Sequence, residues 1–311
     1  MQYMNEEQAR ALFGAEFEKI DDYKEKQEAA ALNVQKQIEW HIARFGYVTG
    51  SEVHRIAFIE AKKANGTSRS AKLDWLKNNA AGVYAELLEI ADKQGKDIEK
   101  LPVAVINERY DNTPAKLVPS EKTLNYAYEL ADQLTLDLGA LRQSESIPRW
   151  LDNPSSSTRW GHDNEPLARK YFADANPNFE VLQMAQVQHP TLPFVRFNPD
   201  GVIKTKNGKT GVLEIKCPYT LSKHGATMRS RDINDEKHLK QILLGMICLN
   251  ADFAVFVSFD PRRKDGQKMV TVTKTRQDLA AEIWQMEKDL RMFWSDVYMP
   301  VLNGMGLGDV L

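Results

Sequence analysis

The sequence predicts an α/β protein: a central mixed β-sheet flanked by helices, preceded by a largely helical N-terminal portion. Three observations carry that reading. The stretch from Glu6 to about Ile38 is rich in Ala, Glu, Lys and Gln and contains no Pro, which is helix composition. After about residue 180 the chain changes to short β-rich segments punctuated by Pro and Gly. Helical spacing then returns between strands at 235–250, and again at 276–297.

The elements follow in order. In the first stretch Leu12, Phe13, Phe17 and Ile20 are spaced to share one helix face. A second helix is expected from Ser51, as N-cap, through "EVHRIAFIEAKKA", with "NGTS" at 65–68 as a turn. Helical stretches at roughly 70–94 and 120–143 flank a loop containing Pro102, Pro114 and Pro119, and "PRWLDNPSSSTRW" is a loop leading into a further helix. "EVLQMAQVQ", "FVRF", "GVIKT" and "GVLEIKC" read as strands, and "KTKNGKTG" carries the Asn-Gly of a tight hairpin. "DEKHLKQILLGMICLN" is a helix, "FAVFVSF" and "KMVTVTK" are strands around the turn "DPRRKDG", and an amphipathic helix closes the chain at 276–297.

Composition narrows the classes of function. With 311 residues, 27% charged and 42% hydrophobic, the chain can bury a sizeable core as one large domain or two modest ones. No apolar run approaches the roughly 18 residues of a membrane span, and "MQYMNEEQAR" lacks the basic-then-apolar order of a signal peptide, so a cytoplasmic location, with no membrane partner, is expected. The two cysteines, Cys217 and Cys248, form no Cys-x-x-Cys pair, which leaves a disulfide framework, a structural zinc site and an iron–sulfur cluster without ligands and makes both buried thiols. The net charge of -2 means that any nucleic-acid binding must come from a locally basic groove.

Chemistry enters at "GVLEIKCPY", 211–219, an apolar run that carries Glu214 and Lys216. Successive strand residues point to opposite faces, so Leu213, Ile215 and Cys217 share one face and Glu214 and Lys216 the other. Fourteen residues before Glu214, "FNPDGV" puts Asp200 where a strand begins, and the hairpin between returns the chain to pair with it. Carboxylates on neighbouring strands converge on one hard cation, which prefers oxygen ligands. Asp200 and Glu214, with a backbone carbonyl beside Glu214, therefore suit Mg²⁺, with Lys216 placed to hold or deprotonate a water or to neutralise charge on a phosphate. Acid-x-Lys triplets also occur at Asp22-Tyr23-Lys24, Glu60-Ala61-Lys62 and Asp235-Glu236-Lys237, where a solvated helix face or loop explains them. On a helix, Glu165 falls in register with Ala168, Arg169 and Phe172, so it faces inward; alone it reads as a capping or salt-bridging glutamate.

Taken together, Trp160-Gly161, Glu165, Ala168, Pro199-Asp200-Gly201, Leu213-Glu214-Ile215-Lys216-Cys217-Pro218 and Gln241 resemble the PD-(D/E)xK (restriction-endonuclease-like) nuclease core in its phage lambda exonuclease-like form, the viral recombinase and alkaline exonuclease family. "EWHIARFGYVTGSEVH", 39–54, is similar to that family's N-terminal motif, and "FVSFDPR", 256–262, to the strand and turn after its core helix. The similarity covers about 39–60 and 158–297.

That resemblance implies one nuclease domain over 1–311, with N-terminal helices and a DNA-end motif at 1–65, a helical insertion at 66–148 longer than a compact member needs, and a catalytic core at 149–311. It implies that Asp200, Glu214, the Ile215 carbonyl and Glu165 hold Mg²⁺, as a two-ion site in which Mn²⁺ substitutes; that Lys216 is the catalytic lysine; and that Gln241 supports the site. Arg44, with Ser51 nearby, matches the residue that grips the 5′-phosphate of a DNA end, a task suited to a guanidinium fork; without the flanking match it reads as a surface helix arginine. The implied activity is 5′ to 3′ degradation of linear duplex DNA, leaving 3′ single strands for a single-strand annealing protein, by a ring-shaped homotrimer. An endonuclease of the same core, cutting particular structures or trimming single strands, and a non-catalytic end-binding scaffold are the alternatives.

The remaining candidates have simpler readings. Gly208-Lys209-Thr210 mimics the end of a Walker A loop, but Ile203 stands where its first Gly belongs, which makes it a hairpin turn. The six histidines form no His-Glu-x-x-His pattern and read mostly as surface or packing residues. Trp284, Met286, Phe293 and Trp294 read as core or subunit contacts, and the basic clusters at 222–231 and 260–268 as phosphate contacts or solvated loops.

Overall fold

The computed structural model describes residues 34–61, 68–144, 146–148, 151 and 155–310. Most of the Glu6–Ile38 helix and most of the "NGTS" turn lie outside them; residues 34–42 are helical (α1). A five-stranded sheet forms the centre, in the order β10 (Met269–Thr275), β9 (Phe253–Phe259), β8 (Thr210–Lys216), β7 (Gly201–Thr205) and β4 (Phe179–Leu182). It is mixed as expected, with β8 and β9 parallel and the other neighbours antiparallel.

Alternation along the strands builds two layers. Val212, Ala254, Phe256 and Val272 face the core formed with α9 (Glu236–Cys248) and α10 (Ala280–Phe293). Leu213, Ile215, Cys217, Val255 and Val257 face Ala168 and Phe172 of α7 (Ser156–Ala175), as the period of two requires. At the turn between β7 and β8, Gly208 takes φ 81, a left-handed conformation that glycine adopts without cost. A second, three-stranded sheet joins β1 (Val48–Thr49) to β6 (Val195–Phe197) and β5 (Val187–Gln188). The Phe197 ring, fully buried, fills the space beside Gly50 and Gly245, where an added Cβ would stand 3.0 Å and 2.6 Å from it. That contact fixes the N-terminal motif against α9.

Several expected elements differ. No helix forms from Ser51: Val53–Arg55 makes one 3₁₀ turn, and Phe58–Glu60 (β2) pairs with Leu117–Pro119 (β3). Thr123 at the start of α5 (Glu121–Gln133) explains the change, since its hydroxyl oxygen lies 3.0 Å and 2.9 Å from the carbonyls of Arg55 and Ala57 and accepts the Ala57 N–H at 3.0 Å. These tertiary bonds override local propensity. The helical stretch at 70–94 divides into α2 (Arg69–Asn79) and α3 (Ala81–Lys93), and the Pro-rich loop holds a further helix, α4 (Val103–Asn112), for which Pro102 is the N-cap. The stretch at 120–143 divides into α5 and α6 (Leu138–Arg142). The basic stretch at 222–231 is largely helical, as α8 (Leu221–Ser230). Beyond α10 a π turn leads into α11 (Met299–Gly304), whose side chains join the main core.

Helices α2, α3 and α4 share their own core of Leu73, Leu76, Leu87, Leu101 and Tyr110, and the β2–β3 pair brings the ends of this segment together. By contrast α5 contributes Tyr126, Ala127, Leu130 and Ala131 to the main core. Among the described residues, no helix is long and apolar enough to cross a membrane.

Candidate active site

Antiparallel pairing sets Gly201 opposite Leu213, and continuing that register by one residue sets Asp200 opposite Glu214. Like charges facing each other across a strand pair are destabilising unless something lies between them. Glu214 is fully buried and Asp200 partly buried. Asp200 Oδ2 accepts the Ile215 N–H at 2.7 Å, which holds this carboxylate beside the end of β8. Glu214 Oε1 accepts a hydrogen bond from Lys216 Nζ, whereas its Oε2 is buried with no partner.

The electrostatics follow from that crowding. Burial, and then the charge of Asp200, push the Glu214 carboxyl up to about 8. Burial works to lower the Lys216 ammonium, but Glu214, Asp200 and Glu165 together hold it above the ordinary lysine value. Glu165, on α7, is raised first by burial and then by Asp200, although Arg169 pairs with it. Arg169 joins the two parts of the acidic group: its Nη2 donates to Glu165 Oε1 and its Nε to the Asp200 carbonyl at 2.7 Å.

Lys216, Glu165 and Gln241 line one cleft of about 650 Å³. Gln241 is held by packing against Gly50, where an added Cβ would come within 3.2 Å of its Cγ. Lys237 and His238, on the same face of α9, also line the cleft. His238 stacks on Phe256 with ring centroids 5.6 Å apart, and burial, then Lys216, press it down to about 4, so its imidazole is neutral near pH 7.

The structure brings Arg44 next to this cleft. Its Nη2 donates to Thr49 Oγ1 at 3.2 Å and Ser51 Oγ at 3.1 Å, and its guanidinium lies over the Trp40 ring at 4.2 Å. Among the described residues its hydrogen bonds go to neutral hydroxyls; burial lowers the pKa of this partly buried cation, against the charges of Tyr126 and Glu52. Arg44 lines a separate pocket of about 360 Å³, and Ser51 lines both that pocket and the cleft.

The residues singled out from sequence thus form two connected groups: Glu165, Asp200, Glu214, Ile215, Lys216 and Gln241 at the cleft, and Arg44 with Ser51 beside it. Arg169, Thr49, Lys237 and His238 are the additions. A signal for the last two is their spacing, four and three residues before Gln241 on one helix face. The cysteines are free and buried, each thiol pushed up to about 12, mainly by burial. Of the candidate core aromatics, Phe293 is buried and Trp294 stacks on Phe194 at 4.6 Å, but Trp284 is exposed. Arg262, which stays exposed, and Arg263, partly buried, both pair with the buried Asp260.

The donor set can be weighed against a metal ion. Two facing carboxylates with an unpartnered buried oxygen are hard ligands that a hard divalent cation would satisfy. Among the described residues no group of three His, Cys, Asp or Glu is placed to hold a metal, and Glu165 is engaged by Arg169. Asp200 and Glu214 are therefore the pair the chain offers directly. The unfolded chain ionises Glu214 near 4.5 and the metal-free fold only near 8, so the metal-free fold carries no penalty at low pH and loses stability as pH rises through that window. The melting temperature of the metal-free protein is expected to fall from about pH 5 to about pH 8 through this group, with Mg²⁺ restoring more stability at the higher pH. Glu214→Gln should flatten both trends in thermal unfolding; an unchanged Mg²⁺ effect in that variant would count against Glu214 as a ligand.

Comparison with known proteins bears on the same residues. Residues 115–252 match the family model of the YqaJ-like viral recombinase domain. No curated protein matches. Among solved structures, the chain is similar to an alkaline exonuclease, LHK-Exo, from Laribacter hongkongensis, with a TM-score of 0.55 and 20% identity over 86% of this chain and 96% of that one. LHK-Exo in complex with dAMP gives a TM-score of 0.52 at 20% identity, covering 85% of this chain and 93% of that one. These similarities show a shared fold. Asp200, Glu214, Lys216 and Gln241 all lie within the segment that matches the YqaJ-like viral recombinase model, and the chain shares the fold of the alkaline exonuclease structure.

Proposed function

We propose that the protein is a Mg²⁺-dependent deoxyribonuclease that degrades linear duplex DNA from its ends, 5′ to 3′. The observation that carries this is the convergence of Asp200, Glu214 and Lys216 beside a cleft that adjoins the Arg44 pocket. The recombinase domain and the similarity to alkaline exonucleases support it. Asp200, Glu214 and the Ile215 carbonyl would hold Mg²⁺, as a pair of ions, with Glu165 joining them on release from Arg169 and Mn²⁺ able to replace Mg²⁺. Bound there, the metal supplies Lewis-acid stabilisation of phosphate charge and an acidified water.

The chain's own groups do the rest. Lys216, tethered to Glu214, presents an ammonium to the phosphate and offers a proton relay for the attacking water. Gln241 orients groups from the α9 wall, and Lys237 meets phosphate charge from the same side. Arg44 captures a terminal 5′-phosphate by exchanging neutral hydroxyl partners for charged oxygens, the exchange that favours a guanidinium fork. Capture of an end next to the cutting cleft would give end-directed cleavage.

A homotrimeric ring around the DNA and a single-strand annealing partner that receives the 3′ strand complete the proposal, supported by the same family likeness. A ring would sustain processive digestion at a net charge of -2, because topology replaces strong electrostatic attraction. In this reading 66–148 is an insertion; its α2–α4 part keeps its own core, whereas α5 packs into the main one. Arg44→Ala is expected to slow digestion of 5′-phosphorylated ends at least about tenfold while changing 5′-hydroxyl ends little. Equal loss on both ends would remove Arg44 from that role. Linear and covalently closed duplexes supply the direct test: the linear form alone should be digested, and cutting of the circle would make the protein an endonuclease.

A further inference from the structure

An aromatic shelf lies beside the cutting residues, and neither metal binding nor end capture uses it. Tyr219 stands three residues beyond Lys216, in the link between β8 and α8, lining the cleft with its ring 49% exposed. An exposed tyrosine on a link of this kind is ordinarily free to move, but here its backbone is clamped. Arg262 Nη2 donates to the carbonyls of Pro218 at 3.2 Å and Tyr219 at 3.0 Å. Arg263 Nη2 donates to the Leu221 carbonyl at 2.9 Å. Asp260, fully buried at the end of β9, accepts the Arg262 backbone N–H at 3.1 Å and its Nε at 2.8 Å, which fixes the fork.

The same guanidinium holds the ring's neighbour. Arg262 lies 4.5 Å from the Trp160 ring centroid, and Trp160 meets the Tyr219 ring edge-on, with centroids 6.2 Å apart and planes at 77°. An edge-to-face contact covers at most one face of the Tyr219 ring and leaves the other clear of Trp160. Lys216, Lys223 and Lys237 line the same cleft, so an anionic strand is the ligand its charge favours. A rigid, exposed ring among cations is the arrangement by which proteins hold nucleobases without reading sequence, because every base has a π-face.

We propose that Tyr219 stacks on a nucleobase of the strand being cut, close to the phosphate that faces Lys216, and that Arg262 is the positioning residue that sets the ring's angle. This inference rests on the DNA-cleaving reading of the cleft. Its consequence is a contact that holds the strand after its pairing is lost, equally for all four bases, as a nuclease that degrades any sequence requires.

The test uses the full chain and duplex DNA with 2-aminopurine at the first or second nucleotide of the 5′ end, mixed in EDTA so that nothing is cut. Wild type and Tyr219→Phe should quench the fluorophore on binding, while Tyr219→Leu should lose the quench. In Mg²⁺, Tyr219→Leu should raise KM for DNA roughly tenfold, with kcat changed much less and Tyr219→Phe near wild type. Arg262→Lys, which keeps the charge and loses the fork, should fall between them in quench and KM. If Tyr219→Leu quenches and cleaves like the wild type, stacking is overturned while the nuclease reading stands. If the wild type neither binds nor cuts DNA, the nuclease reading itself falls, and stacking falls with it.

Discussion

Lys216→Ala is expected to lower DNA cleavage at least about 10²- to 10³-fold, the cost typical of removing one preorganised electrostatic group from a reacting centre. The variant should stay folded. Loss of the ammonium leaves Glu214 as a buried carboxyl facing Asp200, and in metal-free protein it takes a proton instead of bearing an unpaired charge. Asp200→Ala and Glu214→Ala should be as inactive, and Glu214→Ala should additionally lose the Mg²⁺-induced rise in melting temperature. Circular dichroism separates the intended effect from misfolding. A folded Lys216→Ala protein that cuts at the wild-type rate would remove the lysine from the chemistry.

Phe197→Ala should have the largest effect on stability, about 3–5 kcal/mol. The ring is fully buried between Gly50 and Gly245, and no neighbouring side chain can refill the space without moving the strand that carries Val48 and Thr49 away from α9. Gln241 and Ser51 lie on the two sides of that contact. Activity should therefore fall along with stability, and most steeply for 5′-phosphorylated ends. Denaturant unfolding of the two proteins measures the first effect. A loss below about 1 kcal/mol would mean that the core collapses onto the cavity, contrary to the tight packing seen here.

The half of the chain that builds the candidate site was legible in sequence because strand alternation and hairpin register are short-range rules. Asp200 and Glu214 are fourteen residues apart, and one Asn-Gly turn decides that they meet. The packed face of Leu213, Ile215 and Cys217 followed from the same period. Failures came where distant residues set the local conformation. The stretch after Ser51 has helical spacing, yet Thr123, some seventy residues away in sequence, holds its backbone extended. The pair of Glu165 with Arg169 follows from their spacing of four on one helix, but the bond from Arg169 Nε to the Asp200 carbonyl does not, since no sequence pattern reveals which carbonyl will be within reach. The pairing of Arg262 and Arg263 with Asp260 was not foreseen, because it depends on the β9–β10 turn folding back over the Pro218–Leu221 link. The place of Arg44 beside the cleft likewise depends on the parallel β1–β6 pair, which joins residues nearly 150 apart.

End-directed, metal-dependent cutting at Lys216 is the central claim, and a time course on linear duplex DNA labelled at one 5′ end, or internally, tests it most directly. Wild-type protein and Lys216→Ala are followed in Mg²⁺ and in EDTA. The account predicts early release of labelled mononucleotide from the 5′ terminus, delayed release of the internal label, and no release in EDTA or with the variant. Simultaneous release of both labels, or release that persists in EDTA, would contradict it.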